Sequence, residues 1–345
     1  MRPLVTAIFT LLLAVSQVSA QQATSWHDPS PHKVQFVVVE KNVKLEVLDW
    51  GGSGRPIMLL AGSGNTAHVF DDFAPKLNSE FHVYGVTRRG FGASSKPDSG
   101  YDDQRLADDV LAVLDSLKID KPVLVGHSMA GSELTTIGDQ RSDRLSGLIY
   151  LDANDDPTDT CWNNPEYQAL FKLLPSAVSN PAPPSDADKK SFEAFYGYWK
   201  RRTVNFAFPE SELRSQYDQE PDGSVGTVRA RASVRKAIAQ GSKKRDYSKI
   251  KVPILAFVPM PPDQSSGWSE YYRFQPMTDE EHAALKKIYA TDRVCTKQLE
   301  QTLTVEAPKA RIIELHNADH YVFFSNEGDV IREMRAFLQH LPLVK

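Results

Sequence analysis

The chain has 345 residues, with 40 Lys and Arg against 44 Asp and Glu and a formal net charge of −4. That near balance gives no reason to expect nucleic acid or an anionic membrane surface as a partner. Apolar residues at 41% and charged residues at 24% exclude a disordered or fibrous chain and leave room for one large folded domain with an insertion.

At the N-terminus, Arg2, the apolar run Leu4–Val15 and a polar stretch ending Val18-Ser19-Ala20 follow the order of a secretory signal peptide. Cleavage is expected near Ala20, with a secreted or periplasmic destination. The run is too short for a stable membrane anchor. Two cysteines follow, Cys161 and Cys295, far apart in sequence. In an exported protein they allow one disulfide, and two free thiols are equally compatible.

Val34–Val39 and Val43–Trp50 read as a hairpin pair ended by Gly51-Gly52. Apolar runs then alternate with amphipathic segments: strand Ile57–Ala61, helix near Val69–Leu77, strand His82–Thr87, helix near Gln104–Leu117, strand Val123–Gly126, a helix after Ser128, and strand Leu148–Asp152. Such alternation predicts an α/β fold, a mostly parallel central sheet covered by helices. From Asn154 to Tyr247 the alternation stops. Prolines there punctuate aromatic-rich, helix-forming stretches such as Ser191–Arg202 and Val225–Ala239. A block this long is expected to be an inserted helical cap, because structureless connections of that length are rare. The sheet resumes at Val252–Val258. Helices are expected at Asp279–Tyr289 and Thr296–Thr304, a last strand at Ala310–Leu315 and a closing helix at Asp329–Leu338. The expected division is a signal at 1–20, a first core part at 21–153, a cap at 154–248 and a second core part at 249–345.

Val123-Leu-Val-Gly-His-Ser128-Met-Ala-Gly131 is an apolar strand running into a small-residue turn with a serine at its tip. A serine hydroxyl attacks a carbonyl only when it is exposed, has a histidine to take its proton and faces backbone N–H donors for the developing oxyanion. A strand-turn-helix elbow meets the first need and part of the third. The usual pattern is G-x-S-x-G, and here Ala130 stands at the last position.

Four segments in order resemble the α/β-hydrolase family: Leu59-Leu-Ala-Gly-Ser-Gly64, Thr87-Arg-Arg-Gly-Phe-Gly-Ala-Ser94, Gly126-His-Ser-Met-Ala-Gly131 and Asn317-Ala-Asp-His320. The resemblance implies an α/β-hydrolase fold with an inserted helical cap, Ser128 as nucleophile, His320 as base, and the N–H groups of Ser63 and Met129 as the oxyanion hole. For the acid that orients His320 it leaves Asp152 and Asp263 both open. His316-x-x-x-His320 invites a zinc reading, but a strand followed by a loop does not place both rings on one helical face. Gly62-Ser-Gly-Asn-Thr-Ala67 also fits a dinucleotide cradle, with Arg88 and Arg89 available to a 2′-phosphate. That rival leaves the serine elbow unexplained. Arg88, Arg89 and Gly90 read as structural, and Glu133 as either an arginine partner or part of the pocket floor. His68 is a candidate for the pocket lining, and His127 is expected to point away from the site.

The function expected is hydrolysis of a small or medium-sized ester or lactone through an acyl-enzyme, without cofactor or metal. An aminopeptidase, a carbon–carbon hydrolase or a cofactor-free perhydrolase would use the same residues, and a non-catalytic ligand-binding protein is the reading of another class. A serine at the elbow argues against haloalkane dehalogenase and epoxide hydrolase chemistry, which in this family uses a carboxylate there.

Overall fold

A computed structural model describes residues 26–342 except 154–159, 176–181, 204–205 and 262–276. The expected signal segment and Asp263 lie outside the described residues. Eight strands form one sheet: β1 (Lys33–Glu40), β2 (Val43–Gly51), β3 (Pro56–Leu60), β4 (His82–Val86), β5 (Val123–His127), β6 (Gly147–Leu151), β9 (Ile254–Met260) and β10 (Arg311–His316). Their order is β1-β2-β4-β3-β5-β6-β9-β10. β1 pairs antiparallel with β2 and β2 with β4, and the remaining pairs are parallel.

The central strands are apolar throughout because both of their faces are covered. Ile57–Leu60, Val123–Val125 and Leu148–Leu151 are all buried. β1 is an edge strand and alternates instead, with Val37 buried and Val34, Phe36 and Val38 exposed. α1 (Asp103–Ser116) and α2 (Ala130–Arg141) cover one face of the sheet, packing Val110, Val113, Leu134 and Ile137 onto Leu124 and Leu148. On the other face, α10 (Glu327–His340) buries Met334, Phe337 and Leu338 against Ile149 and Leu255.

Between β6 and β9 lie α3 (Pro165–Phe171), α4 (Asp186–Lys189), α5 (Phe192–Arg202), α6 (Glu210–Gln216), a two-stranded ribbon of β7 (Tyr217–Gln219) and β8 (Val225–Val228), and α7 (Ala232–Gly241). The ribbon replaces the start of the helix expected from Val225; its turn carries Gly223 at φ +88°, a conformation glycine adopts without strain. Two other expectations are corrected. The segment near Val69–Leu77 forms two short 3₁₀ turns, Ala67–Phe70 and Ala74–Lys76, rather than one helix. The two helices expected after Asp279 are one, α8 (Asp279–Glu306), opened by a Thr278/Glu281 capping box. The β-branched middle of α8 is helical because Ile288, Tyr289, Cys295 and Thr296 are buried there. Cys295 is bonded to Cys161 with a Cα–Cα distance of 5.7 Å, which resolves the cysteine alternative as a disulfide. α9 (Val322–Ser325) follows the last strand. No described helix is long and apolar enough to cross a membrane.

Candidate active site

The register of the central strands decides which loops meet. Leu60 is level with Gly126, and His127 is level with Leu151. The Gly62 loop after β3, Ser128 after β5 and Asp152 after β6 therefore emerge side by side at the carboxyl edge of the sheet. Open α/β sheets place ligands at that edge, where the direction of chain winding reverses.

Ser128 is partly exposed and has φ +54°. A non-glycine residue in the left-handed region is strained, and the neighbours hold it there. Its N–H donates to the Leu151 carbonyl (3.3 Å), and its own carbonyl accepts from the Gly131 N–H (2.9 Å). The turn admits no larger residues. A Cβ on Gly131 would stand 1.8 Å from the Ala153 carbonyl oxygen, and one on Gly126 would stand 2.7 Å from Leu134 Cδ1. The small residue tolerated at position 130 is consistent with that space, since glycine is needed one residue later.

His320 lies beyond β10, after a turn in which Asn317 takes φ +56°. Its Nδ1 is 2.5 Å from Asp152 Oδ2, across 168 residues of sequence. Asp152 also has a left-handed backbone, φ +45°, and its N–H donates to the Phe257 carbonyl (3.0 Å). The sequence-level candidates Ser128, Asp152 and His320 thus stand on neighbouring loops, whereas His316 is the exposed last residue of β10, paired in register with Met260.

The Gly62 loop packs directly on the elbow. A Cβ on Gly62 would fall 3.2 Å from Ser128 Cβ and 2.7 Å from His127 Nδ1. Among the described residues, the N–H groups of Ser63 and Met129 make no hydrogen bond within the chain.

Three side chains around these loops escape the sequence reading. His127 is buried and turns toward the site rather than away. Its Nε2 donates to the His320 carbonyl (3.0 Å), and its ring lies 4.6 Å from that of His320. Burial, and next to it the adjacent His320, push the His127 imidazole well below the usual histidine range, so it is neutral. Its proton therefore sits on Nε2, where it holds the His320 backbone. Tyr321 donates its hydroxyl to Asn65 Oδ1 (3.0 Å), linking the histidine loop to the Gly62 loop. Glu212, fully buried on α6, accepts from Asn65 Nδ2 (2.8 Å), from the Thr66 N–H (3.1 Å) and from the Thr66 hydroxyl. The inserted segment thus reaches down and holds the loop beside Ser128. Asn65 was visible inside the glycine-rich loop, but nothing around Glu212 in the sequence marks it.

Glu212 also answers the dinucleotide reading. A carboxylate occupies the Thr66 N–H where that reading needs a phosphate, and a short 3₁₀ turn follows the loop where a long helix would be required. Arg88 and Arg89 are not free for a phosphate either. Arg88 pairs with Glu133 (Nε–Oε1 2.7 Å) and donates to the Ala61 carbonyl (3.0 Å), while Arg89 pairs with Asp109 (2.5 Å). Glu133 is therefore an arginine partner. The aromatics of the insertion are mostly core: Phe192, Phe195 and Phe208 are buried, and Phe206 and Phe208 pack on Tyr321 at 5.2 and 5.1 Å. His68 is buried against Asp71 rather than lining this site.

An eight-stranded, mostly parallel sheet with a serine-tipped turn after a central strand defines an α/β-hydrolase architecture. The chain belongs to the alpha/beta hydrolase family, whose profile matches residues 57–333. The crystal structure of E-2-(acetamidomethylene)succinate hydrolase superposes with a TM-score of 0.63 at 21% identity, covering 89% of this chain and 99% of that one. An esterase from Exiguobacterium antarcticum superposes with a TM-score of 0.57 at 18% identity, over 89% and 100% of the two chains. Those identities establish a shared fold. In sequence, the 2-(acetamidomethylene)succinate hydrolase of Mesorhizobium japonicum is 29% identical over 101 residues, 29% of this chain and 36% of that protein. The chain spans little more than a third of the curated relatives it matches first.

Proposed function

We propose that this protein is an exported serine hydrolase that cleaves a small or medium-sized ester or lactone through an acyl-enzyme on Ser128. The observation that carries the reading is the hydrogen bond from His320 to Asp152 beside a serine held at positive φ. Asp152 accepts from Nδ1–H of His320, which leaves Nε2 as the base. Ser128 Oγ attacks the substrate carbonyl and its proton passes to His320 Nε2. The new oxyanion faces the N–H groups of Ser63 and Met129, a type of interaction whose loss costs about 3–4 kcal/mol in the transition state. The tetrahedral intermediate collapses, the carbon–oxygen bond breaks, and His320 protonates the departing alcohol. Water then attacks the acyl carbonyl as His320 takes its proton, the acyl–Oγ bond breaks, and His320 returns the proton to Ser128 Oγ, releasing the acid and the free serine. Every proton is accounted for by His320, so the reaction needs no cofactor.

The test is the intact mass of the purified protein after treatment with a fluorophosphonate, beside Ser128→Ala. One adduct on the wild type and none on the variant is the expected result. An unmodified wild type, or equal modification of both, would overturn the assignment of Ser128.

A further inference from the structure

Apart from the loops around Ser128, two segments distant in sequence converge on one buried carboxylate. Asp71, only 1% exposed, has Oδ1 2.8 Å from His32 Nδ1 and Oδ2 3.0 Å from His68 Nδ1. Asp28 closes the group, with Oδ2 3.5 Å from His68 Nδ1 and 3.7 Å from His32 Nε2. Asp28 and His32 belong to the segment that runs into β1. His68 and Asp71 come from the 3₁₀ turn that follows the Gly62 loop.

We infer that Asp28, His32, His68 and Asp71 form a binding site for a divalent first-row transition ion, zinc in the first instance. Each residue offers one ligand atom, and the four atoms lie within 4.8 Å of one another. A tetrahedral zinc with bonds of about 2.0–2.1 Å sets its ligand atoms about 3.3 Å apart. Separations of 2.8, 3.0 and 3.5 Å lie near that value, the first two being hydrogen bonds from His32 Nδ1 and His68 Nδ1 to the two different oxygens of Asp71, so an ion would replace those bonds. Two imidazole nitrogens with two carboxylate oxygens suit zinc, whereas calcium and magnesium favour oxygen alone.

The surrounding shell is the second argument. A metal-binding histidine usually has its far nitrogen held by a carboxylate or carbonyl, and a metal-binding carboxylate is itself hydrogen-bonded. Glu46 Oε1 lies 3.7 Å from His68 Nε2. Glu46 is in turn fixed by the Thr87 hydroxyl (2.8 Å). Asp71 accepts from the Trp50 indole N–H (3.1 Å) and the Ser211 hydroxyl (2.6 Å), so its orientation is set before any ion arrives.

Charge is the third. Asp28, Glu46 and Asp71 bring three carboxylates into a region largely removed from water, and among the described residues no lysine or arginine forms an ion pair with any of them. Buried carboxylates need positive charge close by. Either protons on the imidazoles or a bound cation supplies it, and zinc titration distinguishes the two. Such an ion would fasten the segment before β1 to the core and, through Ser211 on α6, to the inserted region. Arg214 of the same helix lies 4.6 Å over the Trp26 ring, a second contact between these parts.

The experiment strips the purified protein with EDTA and titrates it with zinc sulfate against a chromogenic chelator. One zinc per chain is expected, with a Tm that rises with zinc concentration. Asp28→Asn combined with His32→Gln alters only the segment before the sheet, and should weaken zinc at least 100-fold while the circular dichroism is kept. No zinc uptake at micromolar concentrations would overturn the site, leaving a proton-held cluster. Equal uptake by the double variant would overturn it as well, since the zinc would then be bound elsewhere. If the variant does not fold, the zinc X-ray absorption spectrum of the wild type decides: only nitrogen and oxygen neighbours, two of them imidazole, fit the site, and any other ligand set refutes it.

Discussion

Glu212 is the residue whose removal tests most sharply how the inserted region supports the candidate site. In Glu212→Leu the Asn65 amide, the Thr66 N–H and the Thr66 hydroxyl lose their acceptor in a place closed to water, while Gln216, partly exposed, can turn outward. An orphaned buried donor costs roughly 1–3 kcal/mol, so three cost roughly 3–9 kcal/mol. Removing a carboxylate that burial disfavours offsets part of this, which places the expected loss near the lower half of that range. The loss should appear as a Tm several degrees lower by differential scanning fluorimetry. Because Asn65 also receives the Tyr321 hydroxyl, its release should loosen the Gly62 loop and the histidine loop together, and lower kcat on a reporter ester about tenfold or more with KM less affected. Glu212 also gives a pH signature. Burial raises its carboxyl above the usual range, against the opposing hydrogen bonds from Thr66, Asn65 and Gln216. A raised folded value means that the folded state retains the proton longer than the unfolded chain does. The stability due to this group is thus full below the unfolded value and falls as pH climbs toward the folded one. Glu212→Gln should flatten that fall relative to the wild type. A Glu212→Leu protein with unchanged Tm and kcat within twofold of wild type would refute the reasoning.

Asp152→Asn should lower kcat on the reporter ester by roughly 10⁴-fold while leaving Tm near that of the wild type, because the His320 tautomer is lost and the fold is not. An unchanged rate would move the role to another carboxylate, Asp263 first. Arg88→Ala leaves Glu133 buried without its counter-charge. Burial already raises the Glu133 carboxyl, with Arg88 the main opposing influence, so the variant should lose about 3–5 kcal/mol and unfold at a clearly lower temperature. Cys161→Ser should destabilise by up to about 5 kcal/mol, since the disulfide closes a loop of 134 residues. A wild type whose Tm is unchanged by reductant, with both thiols shown to be free afterwards, would contradict that value.

Much of the fold is local information. The central strands are continuous apolar runs bounded by turn residues, so their place along the chain can be read directly. The elbow is equally legible, because a serine between small residues at the end of such a strand has few other uses. Chain segments whose conformation depends on partners are less so. Val225–Val228 has the spacing of a helix start and becomes a strand because Tyr217–Gln219 lies beside it. The stretch around Cys295 has poor helix formers and stays helical because it is buried and bonded to Cys161.

By itself, then, the sequence determined the α/β class, the places of the sheet strands along the chain and the position of Ser128 at a turn, all of which follow from patterns within ten residues or so. Tertiary structure alone decided that Asp152 meets His320, that His127 faces the site rather than away from it, and that Glu212 seizes the loop that resembled a phosphate cradle. It also brought Asp28 and His32 to His68 and Asp71. The physical reason is the same in each case. Strand register and the packing of the inserted region bring these groups together across tens to hundreds of residues, and a side chain's neighbours at that distance leave no trace in local composition or periodicity.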